Sequence, residues 1–270
     1  MEYVEVQGAR VPALGLGTWL MTGRECENAV RTALDLGYRH LDTAQIYGNE
    51  VDVGRAIEAA RVPREELWLT TKIDRARLRR DDVLRTTRES LARLRTDHVD
   101  LLLIHWPNPD VPLEETLDAM SQLKAEGAAR HLGVSNFPPS LLKRALSITP
   151  LFCNQVEYHP FLDQRRLHAL SAEHDLLLTA YSPLARGEVM SSKVLQQIGK
   201  RHGKTPAQVA LRWLLQQERV AAIPKAIKHE HLVSNLDIFD FELGHDEMRQ
   251  IGQLQGNRRL ISPEFAPHWG

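Results

Sequence analysis

Apolar runs rich in β-forming residues alternate with helical patterns along the chain, and the runs close near Asp42, Lys72, Ile104, Ser135, Glu157, Ala180 and Ile223. The first three intervals are 30, 32 and 31 residues. That is the length of one strand, one helix and two loops, so the spacing predicts repeated βα units on a parallel sheet. An earlier run from Leu14 to Trp19 brings the strands to eight. Between the strands, Ala29, Val30, Ala33 and Leu34 share one helical face and Gly37 stops the turn. Similar periodicity predicts helices over 49–60, 81–94, 113–125, 138–146, 165–174, 206–217 and 229–238. Eight strands and eight helices predict a closed α/β barrel of the (β/α)8 TIM type spanning residues 1–270 as one domain. The opening YVEVQGARVPAL alternates around Gly8 and predicts a β-hairpin at the barrel bottom.

The doubly wound nucleotide fold is the structural rival, and it needs a Gly-x-Gly-x-x-Gly turn after its first strand. Here Gly15-Leu16-Gly17-Thr18-Trp19-Leu20 lacks the third glycine. The segment from Gly199 to Thr205 is one residue too short for a phosphate loop and reads as an interhelix turn. Composition changes the picture only by exclusion. With 270 residues, 43% hydrophobic and 26% charged, the chain suits a globular core that buries roughly three-quarters of its unfolded surface. A net charge of −1 gives no field to gather nucleic acid or an anionic membrane. Cys26 and Cys153 form no metal spacing and no disulfide framework, and no apolar run has the length of a signal peptide or a membrane span. A soluble, cytoplasmic, monomeric protein is expected.

Chemistry in a parallel barrel gathers at the carboxyl ends of the strands, where the loops converge. Asp42, Lys72 and His105 fall at three consecutive ends, and Tyr47 follows Asp42 in a loop that Gly48 frees to fold back. An ammonium beside a phenol favours the phenolate, and a carboxylate offsets the cost of burying the ammonium. Lowering the Tyr47 phenol by about two units needs ~3 kcal/mol, within reach of one partly buried pair. His105 completes the set as a neutral donor to a carbonyl oxygen. Each residue alone has a plainer reading. Asp42 with Lys72 is a structural ion pair, His105 a structural imidazole beside Trp106, and Tyr47 a loop anchor. Joint placement at one barrel end is what favours catalysis.

LDTAQIYGNE, TTKI, LLLIHWP, HLGVSNF, NQVEYHP, YSPLARG and IPKAIK, in this order, resemble the successive motifs of the aldo-keto reductase family, from about Val11 to Leu243. The length and the ending APHWG are similar to its bacterial branch acting on 2,5-diketo-D-gluconate and methylglyoxal. The resemblance implies a barrel that binds NADPH and reduces small aldehydes, α-dicarbonyls or keto-sugar acids. Tyr47 would be the general acid, Lys72 and Asp42 would tune it, and His105 would orient the carbonyl. Ser135, Asn136 and Gln155 would hold the nicotinamide carboxamide and Tyr181 would stack on its ring. Both roles suit the residue types, though Ser135 and Asn136 are equally a helix cap and Tyr181 a core aromatic. Thr18, Trp19, Ser182, Leu184 and Gly187 match loop positions beside the cofactor. Lys225 and Lys228 would meet the 2′-phosphate, and Asn235 the adenine.

Relatives that prefer NADPH carry Ser or Thr where Ala226 stands and Arg where His231 stands. A histidine grips phosphate less firmly than an always-charged, forked arginine, so NADH use is expected as well. Trp19, Tyr47, His105, Trp106 and Trp269 are expected to rim the substrate site, and the short loop after Pro107 and brief tail after Leu243 predict an open mouth. His159 has no evident role beyond structure. Three other readings stay open: a non-catalytic cofactor-sensing barrel subunit, a Schiff-base aldolase using Lys72, and a metal-dependent hydrolase using Glu157 and His159, which no His-x-His strand signature supports.

Overall fold

The structure is a computed structural model that describes residues 2–269. Strands β1 (Tyr3–Val6) and β2 (Ala9–Pro12) form an antiparallel hairpin turned at Gln7 and Gly8, both with positive φ. Eight parallel strands follow: β3 (Leu16–Gly17), β4 (His40–Asp42), β5 (Trp68–Ile73), β6 (Val99–Ile104), β7 (Ala129–Ser135), β8 (Cys153–Glu157), β9 (Leu177–Tyr181) and β10 (Val220–Ala222). They pair in chain order. The Gly15 N–H donates to Ala222 O at 2.8 Å and the Ala222 N–H to Ala13 O at 2.8 Å, which joins the last strand to the segment before the first. The expected (β/α)8 fold and its hairpin are thus present.

The helices are α1 (Gly23–Asp35), α2 (Glu50–Ala59), α3 (Arg80–Leu94), α4 (Leu113–Ala125), α5 (Pro139–Ile148), α6 (Arg165–His174), α7 (Lys193–His202), α8 (Pro206–Leu215), α9 (His229–Leu236) and α10 (His245–Gly252). Sequence periodicity predicts eight of these and leaves out α7 and α10. Their apolar faces are thin: α7 has Val194, Leu195 and Ile198 in ten residues, and α10 has Met248 and Ile251 in eight. The segment expected as an interhelix turn is divided. Gly199 lies inside α7, where an added Cβ would stand 2.3 Å from Lys204 O, while Gly203 makes the reversal at φ 66°. Thr205 then caps α8 reciprocally with Gln208.

Two apolar cores follow from strand alternation, because successive side chains point to opposite faces. Leu41, Leu69, Ile73, Leu102, Ile104, Val134, Val156, Leu178 and Ala180 pack outward against the helices. Trp68, Leu101, Leu103, Cys153, Leu177 and Ala221 point inward and meet Val6 and Val11 of the hairpin, which closes the barrel bottom. On β5 the inward series runs Trp68, Thr70, Lys72, and on β4 it runs His40, Asp42. The barrel interior thus changes from apolar at the hairpin end to charged at the other.

Gly133 marks where inner packing is tightest. A Cβ there would meet Cys153 O at 2.6 Å and a Leu103 methyl at 2.7 Å, with backbone rather than a movable side chain as the nearer obstacle. Gly133→Ala is therefore expected to destabilise the barrel by roughly 1–3 kcal/mol through overpacking. A urea-unfolding midpoint equal to that of the wild type contradicts this.

Candidate active site

The inward parity that ends each strand brings the expected residues to one mouth. Asp42, Ser135, Gln155 and Tyr181 are inward residues at or near the ends of β4, β7, β8 and β9, and His105 follows the last residue of β6. With Trp19, Tyr47, Trp106, Asn136, Ser182 and Lys225 they line a cavity of about 620 Å3. Lys72 lies just beneath. Its ammonium donates to Asp42 Oδ1 at 2.5 Å and to Thr43 O at 2.9 Å, and its Nζ stands 3.3 Å from the Tyr47 hydroxyl. The Lys72 and Asp42 side chains are 1% and 2% exposed, so the pair is dry. The His105 ring meets the Tyr47 ring edge-on with centroids 5.5 Å apart.

Side chains from the far strands complete the pocket. Gln155 Nε2 donates to Asp42 Oδ2 at 2.7 Å across the barrel. Ser135 Oγ donates to Gln155 O at 2.9 Å, Asn136 Nδ2 donates to Ser135 Oγ and to His105 O at 3.0 Å each, and Tyr181 OH donates to Asn136 Oδ1 at 2.7 Å. Asn136 has φ 64°, the left-handed region that asparagine tolerates better than most residues. Among the described residues, Gln155 Oε1 is engaged by no hydrogen bond and Tyr181 offers a ring to the cavity.

The electrostatics differ from expectation at one residue. Burial holds the Tyr47 phenol above its ordinary value; the Lys72 ammonium opposes this and Asp42 adds to it, so the net direction is upward. Lys72 moderates the cost of a phenolate here without overcoming desolvation. For Lys72 itself burial pulls the ammonium down, but the Asp42 carboxylate and then Tyr47 reverse that and hold it above its ordinary value. Burial, with the Lys72 charge, holds His105 well below the usual imidazole range, so the ring is neutral near pH 7.

Several expected residues lie elsewhere. Thr18 is buried beneath the cavity, its hydroxyl donating to Asp42 O at 3.0 Å. Leu184, Gly187, Lys228, His231 and Asn235 are outside the cavity lining; Lys228 and His231 are exposed at the start of α9, while Asn235 is buried. Trp269 lies outside this lining, packed edge-on against Trp106 with ring centroids 6.3 Å apart. It covers the Arg259 guanidinium at 3.5 Å and lines a neighbouring cavity, and Phe265 takes the rim position expected of it. The mouth is also less open than the short tail suggests. The tail crosses it, so Leu260, Ile261, Ser262, Pro263 and Phe265 form one wall.

Glu157 holds that wall. Its buried carboxylate accepts the Leu260 N–H at 2.7 Å and the Ile261 N–H at 2.9 Å, and the His159 ring lies 3.0 Å away. The anchoring role of Glu157 is not visible in the sequence, because Leu260 and Ile261 lie 103 and 104 positions away. Among the described residues no group of three or more His, Cys, Asp or Glu could hold a metal ion. Asn49 was missed too. Its amide donates to Thr18 O and Met21 O at 2.9 Å each and accepts from Thr43 Oγ1 at 2.7 Å, tying the Trp19 loop to the Tyr47 loop.

The structure is thus a parallel eight-stranded barrel with a Tyr, Lys, Asp and His cluster at its mouth. The pattern of the Aldo/keto reductase family matches residues 13–255, and the chain belongs to that family. It is 42% identical over 265 residues to methylglyoxal reductase DkgB of Escherichia coli O157:H7, covering 96% of this chain and 99% of that protein. The crystal structure of a putative 2,5-diketo-D-gluconic acid reductase B superposes with a TM-score of 0.98 at 44% identity, covering 100% of this chain and 98% of the other. A Bombyx mori aldo-keto reductase solved in complex with NADP is 31% identical, with a TM-score of 0.91 and coverage of 99% and 98%.

Removing the tail's buried acceptor tests the wall. Glu157→Ala leaves two part-buried N–H groups without their acceptor, at a cost of up to about 1–3 kcal/mol each. Limited proteolysis of this variant is expected to cut within residues 256–269 well before the barrel. Wild-type cleavage kinetics in the variant would show that the tail is held by other contacts.

Proposed function

We propose that the protein is a nicotinamide-dependent oxidoreductase that reduces small carbonyl compounds, among them aldehydes, α-dicarbonyls and keto-sugar acids, with Tyr47 as proton donor. The observation that carries this reading is the contact chain from Asp42 through the Lys72 ammonium to the Tyr47 hydroxyl, at 2.5 Å and 3.3 Å, opening on a cavity shared with a neutral His105. Family membership and the reductase names of the relatives support it. The raised affinity of Lys72 for its proton speaks against a Schiff-base aldolase, which needs a free amine.

The donor set suits a nicotinamide cofactor. Gln155 Oε1 and the second lone pair of Asn136 Oδ1 suit the carboxamide, Tyr181 offers a flat face, and Lys225 and Arg186 bring positive charge to the same cavity. When bound, the reduced cofactor supplies hydride to the carbonyl carbon. Tyr47, kept protonated near pH 7, gives its proton to the carbonyl oxygen, so the C=O becomes an alcohol. Neutral His105 donates a hydrogen bond to that oxygen and orients it. Lys72 stabilises the phenolate left behind, and Asp42 keeps Lys72 charged and fixed.

Tyr47→Phe is expected to lower kcat by about 100-fold or more with cofactor affinity retained. Because burial holds His105 well below the usual imidazole range and Tyr47 above the usual phenol range, kcat/KM of the wild type should stay level through neutral pH. Near-normal turnover by the Phe variant, or an inflection near pH 7 to 8, refutes the donor assignment.

NADPH is the expected cofactor, with NADH accepted too. Ala226 is buried without a hydroxyl to offer, and His231 stands exposed on α9 where NADPH-preferring relatives carry arginine. Steady-state reduction of methylglyoxal with each cofactor checks this. A measurable NADH rate is expected, and no detectable rate with NADH at saturating substrate overturns it.

A further inference from the structure

We infer that this site selects carbonyl compounds bearing a carboxylate or similar anionic group, held by Arg75. The inference rests on the reductase reading above and narrows its substrate class. Arg75 lies two residues past the end of β5, and its side chain lines the cavity beside Ala76. Its Nε donates to Pro107 O at 3.2 Å and its guanidinium carbon stands 5.0 Å over the Phe265 ring. Phe265 in turn packs edge-on against Trp106 at 5.5 Å, next to His105. A carbonyl and an aromatic face therefore fix the plane of the guanidinium. Its two terminal nitrogens are left as a fork, the geometry that matches a carboxylate.

No carboxylate of the described residues forms an ion pair with Arg75. Neighbouring Asp74 uses Oδ1 to accept the Ala76 N–H at 3.0 Å. Among the other charges of the cavity, Asp42 is neutralised by Lys72. Arg186 stacks on Trp19 at 5.4 Å and Lys225 donates to Leu20 O at 3.3 Å, so both belong to the loops that follow β9, β10 and β3. Arg75 stands apart, after β5, beside the tail wall. An unpaired cation on that side, with Phe265 against it, suits a ligand whose reacting carbonyl reaches Tyr47 while its anionic end meets the fork.

The test compares 4-formylbenzoate with 4-formylbenzamide, which carry the same aldehyde at the same distance from a charged or a neutral end. Comparing each substrate between proteins cancels its intrinsic reactivity. Arg75→Gln is expected to lower kcat/KM for the benzoate about tenfold, equivalent to ~1.4 kcal/mol, chiefly through KM, and to change the benzamide less than about twofold. Arg75→Lys should recover part of the loss, and added salt should shrink the benzoate effect alone. Equal losses for both aldehydes, or no loss for either, overturn the inference. If the wild type reduces neither aldehyde, the reductase reading fails, and binding decides the anion site separately. Titration of 4-(hydroxymethyl)benzoate and 4-(hydroxymethyl)benzamide by tryptophan fluorescence should favour the benzoate in the wild type and show no preference in Arg75→Gln. Identical benzoate affinity in the two proteins refutes the role of Arg75.

Discussion

The arrangement of the mouth depends on one dry ion pair. Lys72 and Asp42 face each other inside the barrel, where desolvating two charges costs several kcal/mol per ion unless geometry and further hydrogen bonds offset it. Thr43 O accepts from the ammonium, and Gln155 Nε2 satisfies the second carboxylate oxygen. From there the polar contacts run unbroken: Gln155 O accepts from Ser135, Ser135 from Asn136, and Asn136 from Tyr181. Losing either charge would leave the other buried without a counter-charge. The pair therefore couples β4 and β5 to β7, β8 and β9, and the five strand ends hold one another in register.

That pair is tolerable only because the barrel separates its interior by depth. The hairpin and the lower inward residues form a largely apolar plug. The outward residues make a second apolar layer with the helices. The Lys72–Asp42 pair sits in the upper interior, where loops and side chains supply hydrogen bonds and the cavity opens, while buried His40 meets Pro12 O of the hairpin at 3.1 Å lower down. Tyr47 illustrates the balance: burial raises its phenol, the ammonium opposes that rise, and the result is a hydroxyl that keeps its proton at neutral pH beside a fixed positive charge.

The tail adds the element that sets the shape of the opening. A short segment without regular structure could not hold itself across the mouth. Glu157, the last residue of β8, accepts two consecutive backbone N–H groups from it, and Arg258 pairs with Glu188 at 2.6 Å on the outside. Phe265 then completes an aromatic corner with Trp106, and the guanidinium of Arg75 rests on it.

Much of this was legible in the residues. Strand and helix periods, their recurrence near thirty residues and the parity of strand ends are local properties, because alternation and amphipathicity are written in consecutive side chains. They determined the barrel, the hairpin and the gathering of Asp42, Lys72, His105, Ser135 and Gln155 at one end. The helices α7 and α10 were not legible, since each marks its buried face with only two or three apolar residues. Nor were the direction of the Tyr47 shift, the place of Trp269, the anchoring role of Glu157 or the free fork of Arg75. Each of these depends on which distant groups come within a few ångströms and on how much water they exclude. Burial and long-range contact exist only once the chain has closed on itself, and so the tertiary structure alone decided them.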